Sequence, residues 1–130
     1  MHQFDIIMRE LNVATQMGLW INKNFNYDVK VLDPISPFIS KSNPIILDAH
    51  FKGNMINCKG INFINEIRLD YGNFNPILLL SWLNQSYMET LDLLDSFKLN
   101  ALENNSHIVQ FPLSQAKFKR YLKSIENGIS

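Results

Sequence analysis

The sequence holds a single cysteine, Cys58, in 130 residues, so no internal disulfide can form and a reducing compartment suits the chain. The three histidines, His2, His50 and His107, have no second ligand at H-x-x-x-H, C-x-x-C or H-x-E spacing, which leaves no zinc signature. The five glycines, at positions 18, 53, 60, 72 and 128, never cluster, and this excludes a glycine-rich phosphate loop. Charged residues are also scarce, at 18%. Lys plus Arg and Asp plus Glu each number 12, so the net charge is zero and a protein wrapping nucleic acid with its whole surface is excluded. The longest apolar run covers residues 77–83, far short of the about 20 that a bilayer requires. Residues 1–8 carry Asp5 within their apolar stretch and no basic stretch before it, so no secretory signal is expected and soluble, cytoplasmic synthesis is.

What the chain does have is apolar surface: 46% of its residues are hydrophobic, enough for one core without a metal or disulfide staple. One domain over residues 1–130 is the expectation. The 16 asparagines read as nucleotide-composition bias, not as chemistry.

Periodicity assigns the elements. Phe4, Ile7, Leu11, Ala14, Met17 and Ile21 recur at three- and four-residue steps and predict an N-terminal amphipathic helix. Tyr27, Val29 and Val31 alternate with Asp28 and Lys30, a short strand. Pro34 and Pro37 make the following connection irregular. Ile45, Leu47, Ala49 and Phe51 alternate with Asp48, His50 and Lys52, and Ile61, Phe63, Ile67 and Leu69 alternate with Asn62, Glu66 and Arg68. Both read as strands of a sheet covered on one face only. Asn75-Pro76 has the form of an N-cap and N1 pair, so residues 75–95 read as a helix. Residues 97–101 and 109–113 read as a hairpin, and a short basic helix follows Ser114. The predicted fold is thus α+β: a four- to five-stranded, mainly antiparallel sheet with the N-terminal and central helices on one face and a short C-terminal helix.

No catalytic, cofactor-binding or metal-ligating residue is assigned. Asp48 and His50 share a strand face in this reading, with Ser40 and Ser42 nearby, but no G-x-S-x-G elbow supports a triad, and the pair reads as an ordinary polar face. Cys58 beside Lys59 lacks a partner histidine or resolving cysteine and is set aside as a reactive thiol. Asp92 and Asp95 share a helix face and read as solvated. Ile77, Leu79, Trp82 and Leu83 give the central helix more apolar surface than one core stripe needs, which makes them a candidate subunit or partner interface. Lys117, Lys119, Arg120 and Lys123, interleaved with Phe118 and Tyr121, weigh between a solvated helix face and a contact for an acidic partner or for DNA.

The series Asp70-Tyr71, Gly72-Asn73-Phe74-Asn75, Leu80-Ser81-Trp82-Leu83-Asn84-Gln85, Asn104-Asn105-Ser106 and a return strand over 107–113 resembles the tail completion protein R (GpR-like) family of contractile-tailed phages. The order of elements is also similar to tail terminator proteins. The resemblance implies a structural, non-enzymatic protein that completes the head-proximal end of the tail tube or sheath. It implies a homo-oligomeric ring, a hexamer on the tail, with tube or sheath proteins and a head-completion or connector protein as partners. DNA contact would be incidental in the lumen, no cofactor would be needed, and the place of action would be the virion. The alternative reading is a small cytoplasmic immunity or antitoxin-like binding module.

Overall fold

The computed structural model describes residues 3–52, 59–81, 106–110 and 114–127. The elements are β1 (Gln3–Ile7), α1 (Leu11–Phe25), β2 (Asp28–Val31), β3 (Ile45–Asp48), α2 (Gly60–Leu69), β4 (Ile77–Ser81), β5 (Ser106–Gln110) and α3 (Gln115–Asn127). The strands form one sheet in the order β2-β1-β3-β4-β5, and every neighbouring pair is parallel. This is a doubly wound α/β arrangement, which replaces the antiparallel α+β fold expected from the sequence.

The physical reason lies in how a parallel strand is buried. Its crossover helices cover both faces, so it shows a continuous apolar run and no alternation. Ile77–Ser81 is buried at all five positions. Phe4, Ile6, Ile46, Leu78 and Leu80 pack on the side that holds Ala14 and Ile21 of α1 and Phe118, Leu122 and Ile125 of α3. Ile7, Ile45, Leu47, Ile77 and Leu79 pack on the opposite side with Phe63, Ile64 and Ile67 of α2. The expectation of a sheet with one solvated face is corrected accordingly.

Four assignments change, two stand, and the strand expected at 45–51 is cut back to β3 at Ile45–Asp48. The helical pattern across residues 4–21 divides into a strand, β1, and a helix, α1. Residues 61–69 are helical, with Phe63, Ile64 and Ile67 buried and Leu69 81% exposed, a helical stripe that alternation had imitated. The start of the expected helix at 75–95 is the strand β4. Asn75 does not cap a helix; its side-chain Nδ2 donates to the Lys41 carbonyl at 2.9 Å and its main-chain N–H to Asn73 Oδ1 at 2.9 Å, which fixes the turn into β4. The expected hairpin is corrected because β5 pairs with β4 in parallel; its other arm, at 97–101, lies outside the described residues. The strand expected at 27–32 is β2, and the helix expected after Ser114 is α3, with Ser114 Oγ accepting from the Lys117 N–H at 3.2 Å.

Two devices hold the layers in place. Trp20 of α1 meets Phe25 edge-to-face and Phe118 at a tilt, each with ring centroids 5.2 Å apart, and the second contact pins α3 against α1. At the N-terminal end of the strands, the buried Arg68 of α2 donates through Nη1 to the carbonyls of Asn73 (2.9 Å) and Asn75 (2.6 Å) and through Nη2 to Ser106 Oγ (3.4 Å). Asn73 in turn donates to the carbonyls of Ser40 and Asn43. Burial lowers the Arg68 pKa to about 10, so the side chain remains a cation at neutral pH. No described helix is long and apolar enough to cross a membrane.

Candidate functional site

In an open doubly wound sheet, ligands bind beyond the carboxyl ends of the strands, where the strand order reverses. Here the reversal lies between β1 and β3, since the chain passes from β1 out to β2 and then returns to β3. The residue that ends β3 at this position is Asp48, which is only 4% exposed. Its two carboxylate oxygens are separately held. Oδ2 accepts from the Arg9 main-chain N–H at 3.0 Å, and Oδ1 accepts from the His50 main-chain N–H at 2.8 Å. The second bond is an Asx turn, by which the aspartate ends its own strand and shapes the loop that follows. Phe51 N–H closes the same turn onto the Asp48 carbonyl at 3.0 Å.

The surrounding residues come from the other strand ends. Arg9 and Glu10 follow β1, and the Arg9 Nη2 meets Glu10 Oε1 at 3.3 Å on the surface. Ser81, buried, ends β4 directly after Leu80, the residue in register with Asp48. Gln110 ends β5 in register with Ser81. Beneath the turn lies Gly60, the first residue of α2, whose N–H donates to the Ala49 carbonyl at 3.0 Å. A Cβ on Gly60 would sit 2.2 Å from the Asp48 carbonyl oxygen, so only glycine allows α2 to start this close to the strand end. Among the described residues no group of three His, Cys, Asp or Glu converges on a metal position.

The sequence-derived candidates fall elsewhere. Ile77 and Leu79 are fully buried in β4, against the core on the α2 side, and present no surface. Trp82 and Leu83 lie outside the described residues, as do Cys58, Asp92 and Asp95. Lys117, Lys119, Arg120 and Lys123 are exposed on α3, while Phe118 and Leu122 turn inward. Asp48 and His50 do not share a solvated strand face: the strand stops at Asp48, and His50 is buried in the turn. Arg9, Glu10, Gly60 and Ser81 carried no motif. Their signal was positional, with each at or beyond the end of an apolar run or opening the next helix.

No family model matches the chain, and no curated protein matches its sequence. Solved structures do. The chain is similar to a two-component response regulator from Clostridium difficile, with TM-score 0.66, 16% identity, and 98% of this chain and 97% of that one covered. It is similar to a response regulator from Colwellia psychrerythraea, with TM-score 0.62, 17% identity, and 97% of each chain covered. It is also similar to the receiver domain of a sensor histidine kinase from Pseudomonas aeruginosa, with a magnesium ion coordinated in its active-site cleft, at TM-score 0.57, 16% identity, and 98% and 99% covered. These likenesses overturn the tail-completion resemblance, whose central apolar helix begins in a strand and whose strand ending at Asp70-Tyr71 is the helix α2 followed by a turn. The tail tube, sheath and connector partners, the hexameric ring and the place in the virion fall with it, as does the immunity or antitoxin alternative. The fold that this chain shares is that of response-regulator receiver domains.

Proposed function

We propose that the protein is a receiver-type signalling module in which Asp48 accepts a phosphoryl group and the turn after β3 passes the change to a partner protein. The observation that carries this reading is the placement of Asp48: one buried carboxylate at the strand-order reversal, aimed by two backbone N–H groups. In the step, a carboxylate oxygen attacks the phosphorus of a phosphohistidine or acyl phosphate. The P–N or P–O bond breaks, its electron pair leaves with the donor group, and an aspartyl phosphate forms. Either of the two N–H bonds to Asp48 must then readjust, and both belong to segments, residues 9–10 and 49–52, that lie at the surface end of the sheet.

The donor set does not fit a resident divalent ion. A hard cation such as magnesium prefers oxygen ligands in an octahedron. The described residues supply two carboxylates, Asp48 and Glu10, and Glu10 is exposed and faces the Arg9 guanidinium, which sets a fixed cation beside the position. The positive charge at this mouth is Arg9, and a guanidinium is a natural partner for phosphoryl oxygens. The Arg9–Glu10 pair and the two turn bonds of Asp48 favour a second reading, in which the domain recognises its partner without phosphorylation and Asp48 serves as the turn's hinge. Acetyl phosphate treatment with and without magnesium, read by intact mass and by the Asp48→Asn variant, separates the two. Modification confined to the wild type supports the first reading. A folded protein that stays unmodified under both conditions supports the second.

A further inference from the structure

β2 is an open edge of the sheet: among the described residues its ladder partner is β1 alone. The Leu32 N–H donates inward, to the Ile6 carbonyl, at 2.9 Å. By strand alternation the main-chain groups of Lys30 and Asp28 also point inward, and those of Val29 and Val31 point to the open side. Tyr27, Val29 and Val31 are half-buried on the α1 face, while Asp28 and Lys30 are exposed. A groove of about 370 Å³ runs along the valines, walled by Thr15, Gly18, Leu19 and Asn22 of α1. Leu19 stands 63% exposed on its rim. Gly18 lets α1 lie against Val29 and Val31, and the groove is the space left outboard of that contact.

We propose that this edge docks a second copy of the chain, β2 against β2, antiparallel about a two-fold axis through Val29. The charges select that register. An axis through Asp28 or Lys30 sets like charges face to face. An axis through Val31 sets Lys30 against Leu32 and Asp28 against Pro34, so neither charge meets an opposite one. An axis through Val29 makes Val29 a hydrogen-bonded pair with its own copy. It sets Asp28 opposite the partner's Lys30 twice, and Val31 opposite the partner's Tyr27. Lys30 already lies across from Asp5 of β1, so the partner's Asp28 flanks it from its open side. On the α1 face the incoming Tyr27 and Val31 extend the apolar surface over the groove and cover Leu19. Such an interface is isologous and closes as a dimer, and it gives an exposed edge strand a mate instead of leaving it open to other chains.

The test is sedimentation velocity on the full chain over a concentration series reaching about 1 mM. A reversible monomer–dimer equilibrium is expected. Asp28→Lys alone and Lys30→Asp alone each turn two symmetry-related attractions into repulsions, and each should weaken the dimer about tenfold. The double variant carrying both changes restores the opposite pairing and should regain wild-type association. Val29→Pro removes an outward N–H that the monomer does not use and should leave a folded monomer, checked by circular dichroism. A wild type that stays monomeric throughout the series overturns the proposal. So does a dimer indifferent to the single reversals, or one that the double reversal fails to restore.

Discussion

Replacing Gly60 by alanine tests the packing that shapes the Asp48 turn. A helix normally gains about 1 kcal/mol from this change, because alanine has the higher helix propensity. Here the added Cβ would lie 2.2 Å from the Asp48 carbonyl oxygen and 2.9 Å from the Ala49 carbonyl carbon and oxygen. Ordinary contact starts at 3.4 Å, so the closest pair is about 1.2 Å too near. The atoms in the way are backbone and cannot swing aside as a side-chain tip would. Relief requires α2 to withdraw from the strand end, which stretches the Gly60 N–H bond to Ala49 and disturbs the turn that holds Asp48. Overpacking of this kind typically costs 1–3 kcal/mol, with this site at or above the upper end, so a net loss of about 2 kcal/mol is expected after the propensity gain. For a chain of this size that lowers Tm by roughly 7 °C. Thermal and urea denaturation followed by circular dichroism would measure it. An unchanged or raised Tm would refute the close approach of α2 to the site.

Three further outcomes follow from the same packing and electrostatics. Arg68→Ala strips three acceptors of their donor and opens a cavity at the N-terminal end of the strands; a loss of about 3 kcal/mol in urea denaturation is expected, and a loss under 1 kcal/mol would contradict the network. Asp5 is 1% exposed, and burial raises its pKa, opposed by the Asn43 amide at 3.2 Å and by Lys30. The folded state therefore holds that proton to higher pH than the unfolded chain does. Its stabilising effect is complete below the ordinary aspartate pKa and is lost as pH rises through the folded value. Asp5→Asn removes this dependence, so the variant should gain stability relative to wild type as pH rises above about 4, and parallel profiles would refute the assignment. Asp48→Asn keeps one acceptor oxygen but turns an amide NH₂ toward the other main-chain donor; a loss of about 1–3 kcal/mol is expected on urea denaturation, and no loss would contradict the double N–H clamp.

The sequence made some of this fold legible and hid the rest for definite reasons. The alternation of β2 and the helical pattern after Ser114 are local and read correctly; the stripe of α1 was legible too, but its spacing ran on into β1. The central parallel strands, unlike the edge strand β2, have no alternation to read. Ile77 to Leu80 is apolar at every position, and beside Asn75-Pro76 it imitates the opening of a helix. What makes it a strand is tertiary: Asn73 and Asn75 tie the turn to the 40–43 segment, 30 or more positions away, and Arg68 holds it from the end of α2. With residues 77–81 read as a helix, the crossovers disappear and the remaining strands look antiparallel. The site vanished for the same reason. Asp48 was noticed beside His50, but its place at the strand-order reversal exists only when β1, β3 and β4 run side by side. Gly60 stood in no motif, since its role is an approach between two segments twelve positions apart.

The most direct test of the Asp48 assignment is phosphorylation itself. The folded protein would be incubated with acetyl phosphate, with and without magnesium, and followed by intact mass and by amide NMR spectra. The account predicts one added phosphoryl group, absent in Asp48→Asn, with amide shifts centred on residues 9–10 and 48–52. A wild type that takes up no phosphoryl group, or takes it up equally in Asp48→Asn, would contradict Asp48 as the acceptor.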